Sequence, residues 1–125
     1  MQKLDKRVLL VEDDASIREL FAMALLNTGL DIAMAENGEQ GVRIALERHP
    51  DLILLDIDMP VLNGFEAAAK IRADEWGKTV PIIFLTNRSD ARDQAYASHQ
   101  HPDQYIVKAD MPVQEIVVEV LRALK

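Results

Sequence analysis

The sequence predicts an α/β domain built on a parallel sheet with helices on both faces, and three observations predict it. Apolar runs of four or five residues recur at intervals of roughly 20–30 residues, and the segments between them carry helical periodicity. Three of the five runs are nearly continuous in apolar character, as central strands covered on both faces are. Strand alternating with helix five times implies such a doubly covered sheet, five strands with five helices.

The elements follow in order. RVLLV (7–11) is the first strand. Ile17, Leu20, Phe21, Ala24 and Leu25 then make an i, i+3, i+4, i+7, i+8 stripe, with Gly29 where a C-terminal cap belongs. DIAMA (31–35) is the second strand. Asn37 suits a helix N-cap, Val42, Ala45 and Leu46 repeat the stripe, and Pro50 follows its end. DLILL (51–55) is the third strand, and the segment 63–73 is helical by composition. PIIFL (81–85) is the fourth, followed by a weaker helical segment at 90–98, and QYIV (104–107) is the fifth. Pro112 suits a helix first turn, and Val113, Ile116, Val117, Val120, Leu121 and Leu124 form the last stripe.

The 125 residues suit one domain, 1–125, with no linker, repeat or low-complexity segment. A composition of 49% hydrophobic and 28% charged residues is ordinary for a soluble globular protein. No apolar run approaches the length of a membrane span, and the acid-containing amino terminus is unlike a signal peptide. With no cysteine there are no disulfides and no thiolate chemistry, which suits a cytoplasmic location. A net charge of −7 argues against a nucleic-acid surface.

In folds of this kind ligands bind beyond the carboxyl ends of the strands. Those ends carry Glu12-Asp13-Asp14, Asp56, Thr86-Asn87 and Lys108, whereas Glu36-Asn37-Gly38 after the second strand has the composition of a turn. If the first and third strands are neighbours, Glu12, Asp13 and Asp56 crowd together. Two carboxylates about 4 Å apart repel by roughly 4 kcal/mol at an effective dielectric near 20. They must protonate, accept a cation or bind Lys108. Oxygen ligands with no His or Cys beside them suit a hard divalent cation, Mg2+ first and Mn2+ as its substitute. The bland alternative is an acid cluster at a strand end with no ligand.

VEDD (11–14), LLDIDMPVLNG (54–64), LTN (85–87) and YIVK (105–108) together resemble the receiver domain of two-component response regulators, of the single-domain chemotaxis-regulator type. The resemblance covers residues 7–124 and implies a flavodoxin-like sheet of order 2-1-3-4-5. It further implies that Asp56 is the phosphoacceptor, that Asp13 ligates the metal directly and Glu12 through water, and that Asp58 gives its backbone carbonyl while its side chain faces the site entrance. Thr86 would bond the phosphoryl group, Lys108 would pair with it, and Tyr105 would be the switch aromatic or else an ordinary half-buried strand tyrosine. The implied partners are a histidine kinase or phosphotransfer protein upstream and a protein target downstream, with no nucleic acid or membrane. The implied state is a monomer or a phosphorylation-dependent dimer, not an enzyme beyond its own aspartyl phosphorylation and dephosphorylation. No output domain is expected after the final stripe.

Three positions depart from the family pattern: Asn87 where a small residue is usual, Ala109 in place of proline, and HQHPDQ (99–104) before the fifth strand. A cis bond costs about 3–4 kcal/mol before alanine, so the 108–109 bond is expected to be trans with Lys108 still directed at Asp56. LILLDIDMP also resembles the opening of haloacid-dehalogenase-type phosphatases, but Pro60 stands where they carry Thr or Val. A receiver used purely as a binding scaffold is the other rival. Val118, about 120° from a core stripe centred near Leu124 and Val117, is the interface candidate, on a face with the 90–98 helix and the fifth strand. His49, His99 and His101 are expected at the surface, and Trp76 as a partly exposed loop anchor.

Overall fold

The computed structural model describes residues 5–87 and 104–125. Strands β1 (Arg7–Val11), β2 (Asp31–Ala35), β3 (Leu52–Asp56), β4 (Ile82–Thr86) and β5 (Gln104–Val107) form one parallel sheet of order β2-β1-β3-β4-β5. Among the described residues the helices are α1 (Ala15–Leu26), α2 (Gly38–Arg48), α3 (Gly64–Arg72) and α4 (Val113–Ala123). The helical segment expected at 90–98, the turn at 99–103, His99 and His101 lie outside the described residues.

β3 and β4 are buried along their whole length, which is why their sequences show no alternation. The sheet divides the core into two layers. Leu9, Val11, Ile53, Leu55, Ile82 and Phe84 face α2 and α3, and Phe65 meets Phe84 edge-on at 5.2 Å. Val8, Leu10, Leu52, Leu54, Ile83 and Leu85 face α1 and α4.

The helix starts are set by side-chain caps. Asp14 accepts from the Ile17 N–H (3.1 Å) and Asn37 from the Gln40 N–H (2.8 Å). Asn63 and Glu66 form a reciprocal capping box at α3. Such caps contribute about 1 kcal/mol each. Asp14 therefore belongs to helix geometry, although it stands in the acidic run. α2 ends with His49 in the left-handed region (φ 48°), just before Pro50, and the exposed His49 ring stacks on Trp76 at 4.5 Å.

Several details differ from the sequence expectations. β3 and β4 each run one residue further, because Asp56 pairs with Leu85 and Thr86 with Val107 in the parallel ladders. Leu20, expected in the α1 core stripe, is 55% exposed, while Ala22 takes the buried place. The α4 stripe centres on buried Ile116 and Val120, not on Val117 and Leu124, which are half-buried. At 100° per residue this turns Val118 about 180° from the core centre, straight outward.

Gly64 is a tight constraint just past the end of β3. A Cβ there would overlap the Asp56 carbonyl oxygen and sit 2.8 Å from Ile57 Cα. Gly64→Ala is expected to cost about 1–3 kcal/mol in urea unfolding, by overpacking backbone that cannot rotate away. Val118→Glu, on the outward face of α4, is expected to change stability by no more than about 0.5 kcal/mol in the same measurement.

Candidate functional site

The parallel register brings the site together. Val11 pairs with Leu55, so the next residues, Glu12 and Asp56, leave adjacent strands side by side. Thr86 pairs with Val107, which sets Lys108 one step beyond on the neighbouring strand. Glu12, Asp56 and Thr86 are the buried polar residues of the described chain, at 1%, 3% and 0% exposure. Asp13 is exposed at the rim.

Glu12 is fixed at both backbone and side chain. Its N–H donates to the Ala35 carbonyl (3.1 Å), its carbonyl accepts from Arg18 Nη1 (2.7 Å), and its Oε2 accepts from the Asp14 N–H (3.2 Å). Its Oε1 takes the Lys108 ammonium. The same ammonium lies 3.6 Å from Asp56 Oδ1, which also accepts from the Asp58 N–H at 3.2 Å. Burying two carboxylates against one lysine leaves a charge deficit. Burial foremost, then the Glu12 side chain, push the Asp56 carboxyl up to about 8 from its ordinary 3.8, against the opposing pull of Lys108.

Carboxylate oxygens of Glu12, Asp13 and Asp56 all lie within 4.8 Å of one another. The donor set is all oxygen, partly buried and short of positive charge, so the residues present fit a hard divalent cation. The Asp58 side chain turns toward the sheet: Thr86 Oγ1 donates to its Oδ2 at 3.1 Å. Tyr105 is half-buried and packs against the α2/α3 layer of the core. No peptide bond among the described residues is cis, so Lys108–Ala109 is trans. A single 3-10 turn, Lys108–Asp110, carries the chain onward. The trans bond with an inward lysine accords with the expectation for Ala109.

Sequence reasoning brings together Glu12, Asp13, Asp56, Thr86 and Lys108, and the structure does the same. It missed the Arg18 brace and the Thr86–Asp58 bond. The brace carries no sequence signal beyond a basic residue six positions after an acid. The bond joins residues 28 apart, through a side chain expected to face the entrance.

Residues 8–120 match the family model described as the response regulator receiver domain. The chain belongs to that family and is a receiver domain of two-component response regulators. Curated relatives include the DNA-binding response regulator MtrA of Mycobacterium tuberculosis, 35% identical over 125 residues, with 100% of this chain and 53% of that protein covered. The transcriptional regulatory protein AfsQ1 of Streptomyces coelicolor is 38% identical over 112 residues, covering 90% of this chain and 47% of that protein. The chain thus spans about half the length of the curated relatives it matches. Among solved structures, the chemotaxis protein CheY4 of Vibrio cholerae superposes with a TM-score of 0.88 at 25% identity, over 94% of this chain and 98% of that one. The receiver domain of the sensor histidine kinase PA1611 of Pseudomonas aeruginosa, described with a magnesium ion coordinated in its active-site cleft, gives 0.87 at 30% identity, over 97% and 98%.

The raised Asp56 carboxyl has a sign that can be measured without metal. Between about pH 4 and pH 8 the folded state holds a proton that the unfolded state has released, so stability falls as pH rises through that window. Asp56→Asn removes the titration. Its stability advantage over the native chain in urea is expected to grow by up to about 1.4 kcal/mol per pH unit across the window and to level off above it. A constant difference from pH 4 to pH 9 contradicts the buried, proton-retaining carboxyl.

Proposed function

We propose that the chain is a phosphorylation switch that accepts a phosphoryl group from a phosphohistidine protein onto Asp56. The observation that carries the reading is the convergence of Glu12, Asp13, Asp56, Thr86 and Lys108 at one sheet edge, with Asp56 buried at 3% exposure yet beside the exposed Asp13 rim. An Asp56 oxygen attacks phosphorus while the P–N bond of a donor phosphohistidine protonated on its other ring nitrogen breaks, leaving an acyl phosphate on this chain and a neutral imidazole on the donor. Lys108, already 3.6 Å from Asp56, pairs with the charge on the transferred group. Thr86 offers its hydroxyl to a phosphoryl oxygen. Glu12, Asp13, Asp56 and the Asp58 carbonyl would hold Mg2+, or Mn2+ in its place. The bound ion supplies positive charge to the phosphoryl oxygens.

Ionised Asp56 is the nucleophile, so the cation that the acid cluster accepts also favours the reactive form of a carboxyl otherwise pushed up to about 8. The chain catalyses its own aspartyl phosphorylation and hydrolysis and no other reaction. The donor docks as a protein: a cavity of about 330 Å³ beside Lys108, walled by Leu20, Met111 and Val113, gives the exposed Leu20 a partner surface. A histidine kinase or phosphotransfer protein fits that surface. Output passes through protein contacts, with Tyr105 responding to Thr86 and with outward Val118 in a dimer or target face. No helix among the described residues is long and apolar enough to cross a membrane.

Incubation with acetyl phosphate and Mg2+ is expected to add the mass of one phosphoryl group, and Asp56→Asn to add none. Asp13→Ala is expected to abolish saturable Mg2+ binding in the millimolar class, roughly 10⁻⁴–10⁻³ M. An unchanged metal titration in that variant removes Asp13 from the ligand set.

A further inference from the structure

The hydroxyl of Thr86 is already engaged. It is completely buried and donates to the Asp58 carboxylate at 3.1 Å. A threonine hydroxyl has one proton to give, so it cannot donate at full strength to Asp58 and to a phosphoryl oxygen at once. We propose that Asp58 is a latch on the switch hydroxyl: its carboxylate holds Thr86 in the unphosphorylated chain, and phosphorylation of Asp56 signals only as that bond exchanges for one to the phosphoryl group. This rests on the phosphoacceptor reading of Asp56.

Three features make the latch releasable. Asp58 is held at its backbone, where its N–H donates to Asp56 Oδ1 at 3.2 Å, so the residue stays in place while its side chain moves. Met59, 8% exposed, anchors the next position of the loop. The Asp58 residue itself is exposed, so its carboxylate can rotate into water at little desolvation cost, whereas Thr86 sits in a fully buried strand. The driving force is charge. A phosphoryl group carries about −1.5 to −2 charges, more than the ionised carboxylate it caps, on the residue two positions before Asp58. That charge repels the Asp58 carboxylate and at the same time offers Thr86 a more strongly charged acceptor. The proton stays on the threonine oxygen throughout; what changes is its acceptor. Asp58 acts through Thr86 and is therefore a positioning residue, separate from the metal role of its backbone carbonyl, which side-chain substitution preserves.

The test uses beryllofluoride as the phosphoryl probe, titrated at saturating Mg2+ into the native chain, Asp58→Ala, Asp58→Asn, Thr86→Val and the Asp58→Ala/Thr86→Val double variant. Asp58→Ala is expected to tighten binding by about tenfold, the factor for one hydrogen bond that no longer has to be broken. Asp58→Asn keeps an acceptor for Thr86 and is expected to gain clearly less. In the Thr86→Val background the Asp58→Ala gain is expected to vanish. A metal-free urea cycle over the same two positions is expected to show coupling between them, a readout independent of any ligand. Equal gains in Asp58→Ala and Asp58→Asn overturn the latch in favour of charge repulsion alone, and a gain that persists with Thr86→Val overturns it as well. So does an uncoupled urea cycle, or the absence of any gain. A native chain that takes neither the phosphoryl group nor beryllofluoride overturns the phosphoacceptor reading itself, and the latch with it. Failure confined to the variants leaves that reading standing.

Discussion

Two buried carboxylates share one ammonium, and most of the local architecture follows from that shortage of positive charge. Glu12 and Asp56 emerge from neighbouring strands with Lys108 between them. An unpaired charge in this position would cost several kcal/mol, and one lysine cannot neutralise both acids. The pocket therefore keeps a proton or admits a cation, and each option changes what Asp56 can do. A strand end that only needed to be stable would hold apolar or capped residues. This one stores an electrostatic imbalance that ligands relieve.

Holding that imbalance requires stiff surroundings. Arg18 on the carbonyl of Glu12, Asp14 on the amide end of α1, and the Asn63–Glu66 box at α3 each immobilise a backbone segment bordering the pocket. The two core layers, one on each face of the sheet, hold the strands in register, and register is what sets the acid–acid and acid–lysine distances. A slip of one residue would turn the Asp56 side chain to the opposite face of the sheet and undo the arrangement. Apolar packing on the two faces is thus a condition for the polar chemistry at the edge.

Much of this was legible in the amino-acid sequence, for identifiable reasons. Central parallel strands announce themselves because both faces are apolar, and in such a sheet whatever follows a strand must face the common edge. Those two rules place Glu12, Asp56, Thr86 and Lys108 at one edge, and the family resemblance supplied the strand order that makes Glu12 and Asp56 neighbours, together with the roles. What was not legible depends on direction rather than spacing. Leu20 lies on a helical stripe yet faces outward, because α1 meets the sheet through Phe21, Ala22 and Leu25. The α4 stripe is nearly continuous in valine, isoleucine and leucine, so its centre cannot be told by composition, and contact with the sheet selects Ile116 and Val120. The Asp58 side chain, two residues after Asp56, has solvent on one side and Thr86 on the other, and only the loop geometry decides between them.

The closeness of Gly64 to the end of β3 has a consequence for how this surface can diversify. Because any side chain at position 64 would strike the Asp56 carbonyl, the return path from Asp56 to α3 is pinned at both ends. Between the pins the chain bulges outward: Pro60 is exposed, and Val61 reaches 85% exposure with its backbone at φ 70°. Substitutions there alter the solvent-facing rim without shifting the carboxylate beneath it. The exposed rim at 60–61 and the buried Asp56 carboxylate occupy separate positions of one short loop, so the rim can change in sequence while the carboxylate keeps its place.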